Sequence, residues 1–189
     1  MTFNKSQFAK MITEKIRDYL ANKYKINNFA LVKGLTSVAL LESGWGTSKS
    51  GDYNYYGIKD DNGTSVTTHE LINGVRTKVK RGFKNFKTFD DGVKGFVDLL
   101  INKYKVHEIP TITSDSLARN LKKGNYYTDT YDNYVNRLSG IMNGPSYRRS
   151  ISDVSETPSF KQSQQDLNKN LDILSKIQPE VPDALNVNY

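Results

Sequence analysis

Apolar positions recur at helical spacing from the start of the chain, where Phe8, Met11, Ile12, Ile16, Tyr19 and Leu20 form one stripe within residues 4–24. Asn4 and Gln7 stand ahead of it at capping-box spacing, with Asn in place of the usual Ser or Thr. A second helix is predicted over about 28–43. There Leu31, Leu35, Val38, Ala39 and Glu42 lie on neighbouring faces, and Gly44 follows as a natural helix stop. The period then changes. Residues 63–87 are rich in β-branched side chains and contain Asn73-Gly74, so an antiparallel ribbon of two or three strands is expected. Helical spacing returns in Val93, Phe96, Val97, Leu100 and Tyr104. A short helix over 114–123 is read from a Ser114/Asp115 cap and a stop at Gly124, and a longer one over about 130–143 from Tyr134, Val135, Leu138, Ile141 and Met142.

Gly144-Pro145 predicts the end of this body, so residues 1–144 are read as one domain. The next stretch, 145–163, carries Ser, Pro and Arg with little apolar content and reads as a linker. On that reading, truncation after Asn143 leaves a folded domain. Residues 164–189 bring a last amphipathic pattern, Leu167, Leu171, Leu174 and Ile177, which needs a surface to dock on: the body, a second copy or another protein.

Composition narrows the chemistry. The chain has no Cys and only two His, His69 and His107, which removes disulfides, thiol catalysis and Cys-ligated zinc and argues against a histidine metal site. No cofactor is expected. No apolar run approaches the roughly 18 residues of a membrane span, and the N-terminus is amphipathic rather than a signal peptide. The net charge is +7, unevenly placed. Residues 1–144 hold 22 Lys and Arg against 14 Asp and Glu, a net of +8, whereas 145–189 hold 5 against 6, a net of −1. A basic body fits an anionic partner such as nucleic acid, a membrane surface or a bacterial wall, and also fits a solvated Lys-rich surface. The predicted ribbon, with Lys78, Lys80 and Arg81, is its most basic part.

The stretch "ALLESGWGTSKS" places chemistry on this scaffold. Glu42 follows the core-facing Val38 and Ala39 by one helical turn. Burial and the partial negative charge of a helix C-terminus both disfavour its ionised form and so raise its pKa. Trp45, the single Trp of the chain, is expected to exclude water on one side. A carboxylic acid kept protonated near neutrality can act as the general acid of glycosidic cleavage. The same spacing also describes a surface glutamate at a frayed helix end.

This stretch resembles the A-x-x-E-S-G-W-G signature of glycoside hydrolase family 73, the flagellar-type and autolysin-type N-acetylglucosaminidases. "YNYYGIK" (53–59) is similar to the family's Y-N-x-F-G-x-K block, with Tyr56 in place of Phe. "VTTHELINGVRTKVKRGFKNFKTFDDGVKGFVDLL" resembles its T-T-x-E-Y hairpin and following helix, and "YYTDTYDNYVNRL" its closing Y-A-T-D-P-x-Y-A-x-K-L motif, with two extra residues before Tyr134. The resemblance covers about residues 30–142. It implies a lysozyme-like α+β fold, with a mainly helical lobe, a small antiparallel β-lobe and a glycan groove between them. It implies Glu42 as general acid, Glu70 as second carboxylate, and Tyr126 as a catalytic tyrosine. It also implies Trp45, Asn54, Tyr56, Tyr127, Asp129 and Tyr134 as substrate-binding residues, with Tyr56 stacking on a sugar and Asn54 bracing the loop or meeting an acetamido group. Peptidoglycan is the implied substrate, cleaved after N-acetylglucosamine; with neither a signal peptide nor wall-binding repeats read in the sequence, a bacteriophage lysin is the expected setting. In that setting the protein is released from the host cytoplasm through a holin or carried in the virion, and its C-terminal helix serves as a virion or self-association contact. A lytic transglycosylase or muramidase shares the fold, although no G-L-M-Q-like loop is found. A non-catalytic virion or glycan-binding component leaves the two glutamates without a reason, and a nucleic-acid binder lacks a recognisable motif.

Overall fold

The computed structural model describes residues 4–152 and 154, apart from Asn73. Its first helix, α1 (Lys5–Tyr19), begins with the expected capping box: Asn4 Oδ1 accepts from the Gln7 N–H at 2.8 Å, and Gln7 Oε1 accepts from the Asn4 N–H at 3.3 Å. Two of the helix's orphan N-terminal donors are thereby satisfied. Phe8, Ala9, Ile12 and Ile16 turn inward, and a π-helical turn, Leu20–Tyr24, closes at Lys25 in the left-handed region (φ 59°).

Helix α2 (Phe29–Glu42) is the central element. It buries Leu31, Val32, Gly34, Leu35, Thr36, Ser37, Val38, Ala39 and Leu40, so it is enclosed on nearly all sides rather than along one stripe. Its small residues let neighbours approach closely: a Cβ on Gly34 would stand 2.8 Å from the Ile112 side chain. Around it pack α1 and α5 (Tyr131–Met142), with α4 (Ser114–Lys123) against α5 and α3 (Phe89–Asn102) against α1. A single 3₁₀ turn, Val106–Glu108, follows α3. The cap of α4 is Thr113, one residue before the predicted Ser114/Asp115. Thr113 Oγ1 accepts from the Ser116 N–H at 3.1 Å and Ser116 Oγ accepts from the Thr113 N–H at 3.0 Å, a reciprocal pairing that Ser114 has no partner to make.

The ribbon has two strands, β1 (Lys59–Ile72) and β2 (Val75–Phe83), paired antiparallel from Ile72↔Val75 at the turn to Thr64↔Phe83. Near its base the register slips, so that Lys59 and Thr64 both face Phe83. This bulge needs glycine: a Cβ on Gly63 would lie 1.9 Å from the Phe83 carbonyl oxygen. The two faces alternate along the strands. One carries Thr68 and Glu70 opposite Val79 and Thr77, with Arg81 further along β2; the other carries Thr67 and His69 opposite Lys80 and Lys78. The three predicted basic residues therefore do not form one patch, since Arg81 turns to the face of Glu70.

The predicted domain boundary is too early. A sixth helix, α6 (Pro145–Ser150), stands where the linker was expected to begin, with Pro145 in its first turn. Tyr147 is fully buried, Ile151 and Val154 nearly so, and α6 packs on α1. Their i, i+4, i+7 spacing closes the core, so the folded unit extends past residue 144. The predicted helix at 164–178 lies outside the described residues. Among the described residues no helix is long and apolar enough to cross a membrane.

Candidate active site

Helix α2 ends at the residue that carries the chemistry. Ser43 closes it by donating to the Ala39 carbonyl at 2.7 Å and accepting from the Gly46 N–H at 3.0 Å. Gly44, Trp45 and Gly46 then all take left-handed φ (55°, 63° and 80°), turning the chain back toward α1. Only glycine fits at 46, where a Cβ would meet the Phe8 ring at 2.5 Å. This turn leaves Glu42 on the wall of a cleft of about 300 Å³ and carries Trp45 elsewhere. The expectation that Trp45 shields Glu42 is thus corrected: Trp45 lines a separate depression with residues of α1 and α6.

Across the cleft from α2 lies the ribbon, and Glu42, Glu70, Tyr126, Tyr127, Asp129 and Tyr134 all line this one space. The Tyr134 hydroxyl donates to Glu42 Oε1 at 3.3 Å. Its ring stacks flat on Tyr127, with centroids 3.7 Å apart and planes 3° from parallel. Tyr127 is fixed in turn by its hydroxyl, which donates to the Ala118 carbonyl at 3.1 Å, and by Lys122 over its ring. Tyr134 is 2% exposed, so the structure makes it a support for Glu42 rather than a platform for a sugar.

The Glu42 carboxyl is pushed up to about 7, chiefly by desolvation, while the Tyr134 hydrogen bond and the Arg137 charge pull the other way. Protein surrounds the carboxylate, yet the open cleft leaves the residue exposed to solvent. Water in the cleft moderates the desolvation without reversing its direction, and a ligand that fills the cleft removes that moderation.

Glu70 is held in the opposite state. Arg81 grips it through two nitrogens, Nε at 3.1 Å and Nη2 at 2.9 Å, and Lys59 Nζ lies 2.8 Å from Oε1. These hydrogen bonds to cations hold its carboxyl down at about 2. Tyr126 sits in the cleft with a hydroxyl that has no hydrogen-bond partner among the described residues. Burial, then the charge of Glu42, keep it protonated well above the ordinary tyrosine range.

Two predicted binding residues are interior. Asn54 is fully buried and spends its amide on the loop and the ribbon base. Its Nδ2 donates to the Ile58 and Lys84 carbonyls (2.8 and 2.9 Å), and its Oδ1 accepts from the Tyr56 and Ile58 N–H groups (3.3 and 3.1 Å). Of the two roles expected for it, bracing is the one observed. Tyr56 is 2% exposed and stacks on Phe96 with centroids 4.6 Å apart, so it faces the core and not a sugar. Asp129 lies at the cleft edge, where it pairs with Arg137 at 3.5 Å and accepts from Asn133 at 3.3 Å.

Sequence reasoning missed Arg137, Lys59 and Arg81 as parts of the site. Arg137 follows Tyr134 by three residues, one turn along the same helix face, which was a readable signal. The grip of Lys59 and Arg81 on Glu70 depends on the bulge and the strand pairing. Among the described residues no three or more His, Asp or Glu side chains converge as metal ligands.

The arrangement is that of a protonated acid and an ionised carboxylate facing one groove. The chain is similar to known proteins over most of its length. Residues 14–147, well over half the chain, match the glucosaminidase family model, described as mannosyl-glycoprotein endo-beta-N-acetylglucosaminidase. The peptidoglycan hydrolase FlgJ of Escherichia coli (strain K12) is 31% identical over 135 residues, covering 65% of this chain and 42% of that protein. The chain thus spans less than half the length of that relative. Among solved structures, the catalytic domain of the autolysin Auto from Listeria monocytogenes is similar at a TM-score of 0.52 and 27% identity, covering 78% of this chain and 89% of that one. A peptidoglycan hydrolase mutant from Sphingomonas sp. A1 shares the fold at a TM-score of 0.58 and 23% identity, covering 76% and 99%.

Proposed function

The chain belongs to the glucosaminidase family and is a glycoside hydrolase, and from that premise we propose that it is an endo-β-N-acetylglucosaminidase that cuts peptidoglycan glycan after N-acetylglucosamine. The observation that carries the reading is the split between two carboxylates lining one cleft, Glu42 raised to about 7 and Glu70 lowered to about 2. Between those values Glu42 is largely protonated and Glu70 ionised, the division of labour that acid-catalysed glycoside cleavage needs.

Glu42 donates its proton to the glycosidic oxygen as the bond from that oxygen to the sugar's anomeric carbon breaks. Positive charge develops on the anomeric carbon and ring oxygen, and the ionised Glu70 stabilises it from the ribbon side. A carboxylate held near 2 is a weak proton acceptor, so the observed ion pairs favour charge stabilisation over activation of water. Attack by the sugar's own acetamido oxygen is consistent with that role; the Tyr126 hydroxyl, unpartnered but buried, meets that oxygen only if the cleft wall opens. Water then opens the resulting ring and returns a proton to Glu42. The basic body complements the carboxylates of the wall glycan.

Mass spectrometry of digested cell walls tests the proposal. Reducing-end N-acetylglucosamine is the expected product. Reducing-end N-acetylmuramic acid would make the protein a muramidase, and anhydro-muramic ends a transglycosylase.

A further inference from the structure

The depression that receives Trp45 has about 590 Å³ and is lined by Lys5, Ser6, Trp45, Ser146, Arg149 and Ser150. Its composition is unlike the catalytic cleft: one aromatic ring, two cations and three hydroxyls, with no acid. Lys5 makes no ion pair among the described residues. Arg149 spends only its Nε–H, in a long 3.4 Å bond to the Pro145 carbonyl, which leaves both terminal nitrogens of its guanidinium. The Trp45 ring is half-buried, and its indole N–H has no hydrogen bond among the described residues. Trp45 also holds a left-handed backbone (φ 63°), which a bulky side chain adopts at a cost. Helix α6, absent from the sequence reading, supplies the arginine side of the depression.

We propose that this depression is a second saccharide site that takes a carboxylate-bearing N-acetylated sugar, the lactyl-substituted residue of wall glycan whose carboxyl carries no peptide; the identity of the sugar rests on the proposed wall substrate. The apolar face of the sugar lies on the Trp45 ring, as polar polymers lie on aromatic side chains. The lactyl carboxylate accepts charge-assisted hydrogen bonds from Arg149 and Lys5, and the exposed Ser146 hydroxyl meets the sugar's polar edge, while the buried Ser150 hydroxyl is held by Ser6 Oγ at 3.0 Å and the Ser146 carbonyl at 2.8 Å. Such a site holds the enzyme on a strand while the cleft cuts, and it raises the local substrate concentration without entering the chemistry.

Trp45 is the single Trp of the chain, so emission excited at wavelengths that the 12 Tyr do not absorb reports on this depression. The test titrates the full-length protein with N-acetylmuramic acid and with N-acetylglucosamine, which lacks the lactyl carboxylate. N-acetylmuramic acid is expected to change the Trp emission in a saturable and salt-sensitive manner, with N-acetylglucosamine at least about tenfold weaker. Lys5→Gln with Arg149→Gln should remove that preference while leaving the melting temperature and cleavage of a short soluble glycan unchanged. Should the double variant melt early, Arg149→Gln alone replaces it, since Arg149 is exposed. Glu42→Gln should titrate like the wild type, which separates this site from the cleft. Equal response to both sugars, no response to either, or a preference that survives the charge substitutions overturns the proposal. A wrong assignment of the enzymatic product shows instead in the wall digest, with the fluorescence titration unaffected.

Discussion

Glu42 and Glu70 invert the simple link between exposure and ionisation. Glu42 is open to solvent yet its carboxyl is raised, whereas the Glu70 side chain is only 11% exposed and its carboxyl is lowered. What covers each group decides the outcome. Glu42 ends a helix sunk in the core, so protein stands behind it and desolvation outweighs the opposing pull of Tyr134 and Arg137. Glu70 lies on a thin two-stranded ribbon with little protein behind it, and its cover consists of the side chains of Lys59 and Arg81. One carboxylate is set by desolvation, the other by partners.

The largest break in this contrast comes from Glu42→Gln, which keeps shape but has no proton to give. Hydrolysis should fall by roughly 10² to 10⁴ with the melting temperature unchanged, measured as wall clearance alongside a thermal scan. Glu70→Gln should cost less, roughly 10²-fold, because it removes charge stabilisation but not the acid. Replacing both Lys59 and Arg81 by Gln sharpens the point from the other side. Without its partners the Glu70 carboxyl should rise toward the ordinary range, and activity should fall at acidic pH, where a protonated Glu70 no longer carries charge.

A structural prediction tests the platform on which Glu42 stands. Tyr147 is fully buried, and its hydroxyl donates to the Lys33 carbonyl on α2 at 3.4 Å. Tyr147→Ala should destabilise the fold by about 3–5 kcal/mol in denaturant unfolding. Truncation after Asn143, which a boundary at 144 allowed, should now give an unstable protein. The smallest effect belongs to Tyr134→Phe and Arg137→Gln. Each removes an influence that lowers the Glu42 pKa, so the alkaline limb of the pH–rate profile should move up by a fraction of a unit.

Much of the fold was legible because its signals are local. The Asn4–Gln7 box, the Asn73-Gly74 hairpin and the stripe that ends in Glu42 are all read from neighbours a few residues apart. The misreadings share another cause. Nothing local to "YNYYGIK" tells that Asn54 and Tyr56 point inward, because the ribbon base at Lys84 and the ring of Phe96 fix them from about thirty and forty residues away. Trp45 went astray because three successive left-handed residues reverse the chain just after Glu42. Helix α6 was hidden by Ser and Arg on its exposed face, although Tyr147, Ile151 and Val154 keep helical spacing. The grip on Glu70 depends on a bulge that Gly63 permits but whose register it does not fix, and the split of Lys78 and Lys80 from Arg81 follows from strand alternation once the register is known.

The claim that Glu42 is the general acid is tested most directly by the pH dependence of kcat/KM on a soluble glycan. A carboxyl raised above its ordinary value of about 4.5 donates below its own pKa and loses that ability as pH rises through it. The rate should be flat through mildly acidic pH and then fall tenfold per pH unit above a midpoint near 7, a limb missing from the residual activity of Glu42→Gln. A limb centred near 4.5, or a limb near 7 that persists in the Gln variant, would contradict it.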